Sequence, residues 1–405
     1  MSTGGLSRAR LGRMHDVMAE HVARGDMPGL VTLVSRRGEV HVDVVGDKSI
    51  RRDGTGDPMR RDTLFRISSM TKPVTAAAAM ILVEECKLRL DDPVDRLLPE
   101  LATRRVLQRL DGPLDETVPA KRAITLRDLL TFRMGFGLVM GPDELPIQAA
   151  VREQQIMTLG PPKPATPHAP DEWMRRLGEL PLMHQPGERW MYNTGSYVLG
   201  VLIARASGQP FETFLRERIF HPLGMKDTGF HVPEAKLHRL ATSYRVDAMT
   251  GALAEDDGVE DSQWSRPPIF PDGGAGLVST ADDYLAFGQM MLNKGKLGSV
   301  RILSRLSVEA MTTDHLMPEQ KAISGFFPGY WDGRGWGFGV SIVTRRDDVA
   351  AVPGRFGWNG GLGTAWSSDP AEDMVAILLT QRMGFPEISP VHLDFWTSVY
   401  QAIDD

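Results

Sequence analysis

Ser69-Met70-Thr71-Lys72-Pro73-Val74-Thr75-Ala76-Ala77-Ala78-Ala79-Met80-Ile81-Leu82-Val83 is the stretch on which the reading of this 405-residue chain turns. The run after Lys72 carries no charged side chain, which predicts a buried helix. Residues three apart on a helix share a face, so Ser69 and Lys72 can meet. The helix N-terminus adds backbone N–H groups and a positive dipole end suited to developing negative charge. Burial disfavours the charged form of an ammonium. The combination describes an activated serine. A bare Ser-x-x-Lys arises by chance about once in 400 positions at ordinary residue frequencies. A capping serine followed by a solvated lysine is the plain alternative, and the rest of the chain has to decide.

Upstream, Leu11, Met14, Met18 and Val22 recur at helical spacing, and Gly25 and Pro28 end the pattern. Leu30 to Ser35, a turn at Arg36-Arg37-Gly38 and the alternation Val40 to Val44 read as a hairpin. Downstream, residues 84–270 are dominated by short helices: Leu126 to Thr131, Trp173 to Leu180, Ser196 to Ala206 and Phe211 to Phe220. Residues 160–170 hold too many prolines for a regular element and predict a loop or lid. Strand patterns return at Gly337 to Val343, Thr364 to Ser368 and Met374 to Thr380. A terminal helix follows, with Leu393, Trp396, Tyr400 and Ile403 on one face. Strands at both ends predict an α/β lobe made of residues 1–83 and 271–405, a mainly helical lobe of residues 84–270, and a site at their interface.

Net charge of −6 and a pI near 6.0 argue against a nucleic-acid or anionic-membrane partner. One cysteine, Cys86, permits no intrachain disulfide and no cysteine-based metal site, and its place at the helix end suggests inert packing. No His-Glu-x-x-His is present, the histidines are scattered, and His184 and His221 read as turn residues, so neither metal nor cofactor is expected. The N-terminal residues lack an apolar segment before a small-residue cleavage site, and a cytoplasmic location is the expectation.

Two further constellations bear on the serine. Pro186-Gly187-Glu188-Arg189-Trp190-Met191-Tyr192-Asn193-Thr194-Gly195 is a turn leading to a helix start. Tyr192 could hydrogen-bond the nucleophile and take its proton if neighbouring cations depress its pKa; a packing tyrosine is the alternative. Phe356-Gly357-Trp358-Asn359-Gly360-Gly361-Leu362-Gly363-Thr364 leads into a strand, where a backbone N–H could join that of Ser69 in holding an oxyanion. A glycine-rich hairpin turn is the alternative there.

In order, these motifs resemble the three of the serine β-lactamase and penicillin-binding-protein superfamily. Leu90-Asp91-Asp92-Pro93-Val94, Ile124 to Thr131 and Gly273-Gly274-Ala275-Gly276-Leu277-Val278-Ser279-Thr280 are similar to stretches of its class C-like branch. The resemblance covers nearly the whole chain. It implies a β-lactamase-like α+β or α/β fold: an antiparallel sheet flanked by N- and C-terminal helices, with the helical lobe inserted. It also implies Ser69 as acylated nucleophile, Lys72 as proton-relay partner and Tyr192 as general base, with an oxyanion hole from the backbone N–H groups of Ser69 and Gly361. Whether Lys72 or Tyr192 takes the first proton stays open.

Two departures narrow the reading. Where many relatives place a cation before Thr-Gly, this chain has Trp358-Asn359-Gly360, and an indole cannot supply that charge. Tyr192-Asn193-Thr194 replaces Tyr-x-Asn, which leaves Asn193 without an assigned role. The tryptophan-glycine motif is similar to the family VIII carboxylesterases, and aromatic surface without a cation favours neutral esters. The resemblance therefore implies an esterase acting on short- to medium-chain esters, a small-molecule substrate. The alternatives are a weak β-lactamase, an amidase or D-aminopeptidase, an acyltransferase, or a non-catalytic scaffold. Trp358, Asn359, Gly360, Phe136, Met140 and Trp366 flank the motifs and are the expected substrate-binding residues. No serine stands in Gly-x-Ser-x-Gly, which disfavours an α/β-hydrolase elbow.

Overall fold

The computed structural model describes residues 4–50, 55–141, 145–156, 166–247, 249–384 and 389–405. The chain opens with helix α1 (Arg8–Ala23), followed by strands β1 (Gly29–Arg36), β2 (Glu39–Ile50) and β3 (Gly56–Pro58). Helix α2 (Thr71–Glu84) carries the serine tetrad, and helix α3 (Thr194–Ser207) follows the tyrosine motif. Helix α4 (Ala281–Leu292) leads to strands β4 (Arg334–Trp336), β5 (Ser341–Val343), β6 (Phe356–Gly360), β7 (Thr364–Asp369) and β8 (Met374–Thr380), and helix α5 (Pro390–Gln401) ends the fold.

The strands form one eight-stranded antiparallel sheet in the order β4-β5-β6-β7-β8-β1-β2-β3. Both ends of the chain meet at its centre, where β1 pairs with β8 from Leu30↔Thr380 to Arg36↔Met374. Every residue of β1 is buried. Alternation then divides the strand: Val31 and Leu33 enter the larger core with α2, α3 and α4, while Leu30 and Val34 enter the smaller core under α1 and α5.

Helix α2 is buried from Thr71 to Leu82. Its propensity-rich Ala76 to Ala79 run lets neighbouring elements approach closely, and each fully buried Val, Ile, Leu or Met contributes about 1.5–3 kcal/mol of burial free energy. The interior position explains why the helix shows no polar face.

Several sequence expectations shift. The stretch 337–343 is not one strand: Gly337 N–H bonds to the Val340 carbonyl at 2.8 Å, making a turn between β4 and β5. A Cβ at Gly337 would lie 2.0 Å from the Met311 carbonyl, and Gly339, at φ +72°, sits against the Lys72 carbonyl, so the turn is wedged onto α2. Phe356–Gly360 is itself a strand, which its glycines disguised. The buried face of α5 carries Val391, Phe395 and Val399, while Leu393 is exposed. Cys86 is exposed just beyond α2 rather than packed. Of the proline-rich 160–170 segment, 160–165 lies outside the described residues, and Pro170 begins the helix Pro170–Glu179. Among the described residues no helix is long and apolar enough to cross a membrane.

Candidate active site

The nucleophile is presented by a short pinned segment. Phe65 and Arg66 pair with Ser279 and Val278, and Ser68 then takes the left-handed conformation at φ 49°. A single 3-10 turn, Ser68–Met70, runs into α2. Its start is tied down from outside: Tyr284 Oη donates to the Met70 carbonyl at 2.7 Å, and Leu277 N–H donates to Thr71 Oγ1 at 3.2 Å.

Ser69 Oγ has two partners. Lys72 Nζ lies 2.8 Å away and also donates to the Gly274 carbonyl at 2.7 Å. Tyr192 Oη, brought in by the loop before α3, lies 2.8 Å from Ser69 Oγ. Ser69 and Tyr192 are buried, and Lys72 is 1% exposed. The sequence-identified trio is therefore one hydrogen-bonded cluster.

The tyrosine environment differs from what the motif alone suggests. Trp358 Nε1, on β6, donates to Tyr192 Oη at 2.9 Å. Lys72 Nζ stands 4.4 Å from the Tyr192 ring centroid, a cation–π placement. Burial pushes the Tyr192 phenol well above its usual value, opposed by the hydrogen bonds with Ser69 and Trp358. The condition under which Tyr192 would be a ready base, a pKa depressed by adjacent cations, is thus not met. Burial pulls Lys72 down to about 7, opposed by the negative charge of Asp272.

Asp272 escaped the sequence reading. Its carboxylate is buried beside the cluster and accepts Gly274 N–H at 2.6 Å. Burial raises it to about 6, against the N–H bonds of Gly274 and Ala275 and the charge of Lys72. No local pattern marks it, because the lysine it faces is 200 positions earlier.

A cavity of about 500 Å³ opens beside Ser69, with Gly361, Asn359 and Gly360 on its border. Tyr192, Trp358, Phe326, Phe327, Tyr330 and Leu138 give it an apolar, largely aromatic wall. Behind that wall Trp190 packs edge-on to Phe326 and Trp331, each at 5.1 Å between centroids. The segment Ser324 to Trp331 was missed, although four aromatic residues in eight were a visible signal.

Two expected substrate contacts, Phe136 and Met140, need correction. Phe136 is fully buried in the larger core, and Met140 is exposed and does not border the cavity. Trp366 borders the cavity, but its indole packs against Tyr284, Phe287 and Phe356 and is 1% exposed. Its cross-strand partner Trp358 is half-buried and lines the cavity beside Tyr192. Asn193 borders the cavity and hydrogen-bonds Tyr197, so its described contact is with α3.

A buried Ser–Lys–Tyr cluster at a helix start, over an antiparallel sheet, defines a serine hydrolase of the β-lactamase and penicillin-binding-protein superfamily, class C-like. The chain belongs to the beta-lactamase family, whose model matches residues 14–400. It is 42% identical to Protein Rv1367c of Mycobacterium tuberculosis, over 90% of this chain and 88% of that protein. It is 30% identical to Esterase EstB of Burkholderia gladioli, over 96% and 94%. Among solved structures, EstCE1, described as a hydrolase with promiscuous acyltransferase activity, superposes with a TM-score of 0.77 at 24% identity, covering 97% of this chain and 99% of that one.

Proposed function

We propose that this protein is a carboxylesterase that cleaves short- to medium-chain esters through an acyl-Ser69 intermediate. The observation that carries the reading is that Ser69 Oγ is bonded by both Lys72 and Tyr192, while the third partner of the cluster is the neutral Trp358 indole. Lys72, held near neutrality by burial, is the better first base, since Tyr192 is shifted far from ionisation.

In acylation, Ser69 Oγ attacks the ester carbonyl and its proton passes to Lys72. The backbone N–H groups of Ser69 and Gly361 hold the oxyanion. As the tetrahedral intermediate collapses, the proton held on Lys72 passes to the departing alkoxide, while neutral Tyr192 Oη offers its hydrogen bond to the leaving oxygen. Deacylation reverses these transfers with water in place of the alcohol. An alcohol entering instead of water would give acyl transfer, a second reading favoured by the description of EstCE1.

The missing cation at Trp358 disfavours anionic β-lactams, and the aromatic cavity favours apolar acyl or alcohol groups. The name of Esterase EstB supports the same class. The test is nitrophenol release from p-nitrophenyl butyrate. Ser69→Ala should abolish it in a folded chain, and wild-type turnover of a chromogenic cephalosporin should be slow or absent. Retained ester hydrolysis in Ser69→Ala, or cephalosporin turnover rivalling that of the ester, would overturn the reading.

A further inference from the structure

The glycine-rich turn at residues 272–276 is built around a carboxylate. Gly274 N–H donates to Asp272 Oδ1 at 2.6 Å, and Ala275 N–H also bonds to that carboxylate. Gly276 N–H closes the turn on the Asp272 carbonyl at 3.0 Å. With its N–H groups turned inward to Asp272, the turn faces its carbonyls outward to α2. Thr75 Oγ1 donates to the Gly273 carbonyl at 2.7 Å, and Lys72 Nζ donates to the Gly274 carbonyl at 2.7 Å. The turn has no room to drift: a Cβ on Gly273 would lie 2.5 Å from the Ser196 carbonyl and 3.1 Å from Thr75 Cγ2.

We propose that Asp272 is a positioning residue for Lys72: its carboxylate holds the turn that orients the lysine amine toward Ser69, and its negative charge sets how readily that amine is protonated. The inference rests on Lys72 acting as the base for Ser69. Asp272 does not touch the reacting atoms, and it acts through Lys72. The other titratable groups facing the pair are Tyr192, whose ring lies beneath Lys72 Nζ, and Tyr197, whose ring flanks Gly274 next to Asp272. Burial raises both phenols far above neutrality, so near pH 7 the charge acting on Lys72 is that of Asp272.

The sign follows from the charge. An adjacent anion favours protonated lysine, so removing it makes Lys72 a weaker base that is deprotonated at lower pH. In Asp272→Asn the amide oxygen still accepts the turn's N–H groups, but the charge is gone. The acid limb of the kcat/KM profile for p-nitrophenyl butyrate should move down by about one pH unit or more. Asp272→Glu should bring it back toward the wild-type position. The same limb should appear in the rate of Ser69 phosphonylation by a fluorophosphonate, which reports serine activation whatever the natural substrate. A folded Asp272→Asn that labels fully at Ser69 with an unmoved limb overturns the proposal. If Asn does not fold, Asp272→Ser is read the same way. If no uncharged residue folds, Asp272→Glu decides: a wild-type limb with a reduced maximal rate supports the proposal, and an unchanged limb and rate overturn it. Wild-type chain that labels at Ser69 but releases no nitrophenol would instead defeat the esterase reading and leave the phosphonylation test of Asp272 intact.

Discussion

Six residues apart on the segment that presents the nucleophile, two buried cations face two buried aspartates, with opposite results. Arg66 meets Asp257 directly: Nε donates to Oδ2 at 2.8 Å, and Nη2 reaches the same carboxylate. Its remaining donors go to the Ala241 and Gly258 carbonyls and to Ser262 Oγ, and its guanidinium lies over the Trp264 ring at 5.1 Å. Lys72 gives its hydrogen bonds to Ser69 and the Gly274 carbonyl, while Asp272 gives its own to backbone N–H groups. A guanidinium fixed by a directly bonded carboxylate and by carbonyl and hydroxyl acceptors serves as an anchor. An amine whose counter-charge is held off by an intervening turn stays close to deprotonation, and is available for chemistry.

The sharpest way to break this contrast is to remove each cation in turn. Lys72→Met should lower kcat/KM for p-nitrophenyl butyrate by about a thousandfold or more, since nucleophile and base act as a unit. Its urea midpoint should move little, because a lysine already near neutrality is not holding the fold by charge. Arg66→Met should do the reverse. It leaves Asp257 buried without its partner, and unfolding should cost about 3–5 kcal/mol less. Activity per folded molecule should stay within a fewfold, and adding Asp257→Leu should recover much of the lost stability. Equal stability losses in the two variants would erase the distinction.

The same contrast explains what the sequence could convey. Ser69 and Lys72 were legible because a helix brings residues three apart together regardless of the rest of the fold. Tyr192 was legible only through the resemblance of its motif, since nothing local links it to a serine 123 positions away. Asp257 and Asp272 carry no such flag: Arg66 finds its partner 191 residues on, through the packing of the segment after β3 against a distant hairpin. Trp358 was read as the loss of a cation, and its hydrogen bond to Tyr192 became visible only once β6 stood opposite the tyrosine loop. The sheet was readable in β1, β7 and β8 as strand-like runs and in β2 as apolar alternation. It was hidden in β6, where glycines leave little side-chain pattern to read. Phe136 and Met140 were misplaced for a related reason: nearness to a motif in sequence does not say which side chains reach the cavity.

The smallest expected effect tests whether the arginine pair is only an anchor. Ser262 Oγ accepts from Arg66 Nη2 at 3.0 Å and donates to Asp257 Oδ2 at 2.7 Å, so it completes the pair without bearing charge. It also accepts Trp264 N–H at 3.1 Å, which keeps the indole under the guanidinium. Ser262→Ala removes one donor from a carboxylate that retains Arg66 and the Gln263 N–H. The expected cost is about 1–3 kcal/mol, because the buried Trp264 N–H loses its acceptor along with the bond to Asp257, and it is read from the urea midpoint. The pH profile of ester hydrolysis should superpose on that of the wild type, because nothing facing Lys72 has changed. A displaced acid limb in Ser262→Ala would mean that the Arg66 network reaches the lysine through Ser68 and Ser69, and that the two buried pairs act as one electrostatic unit.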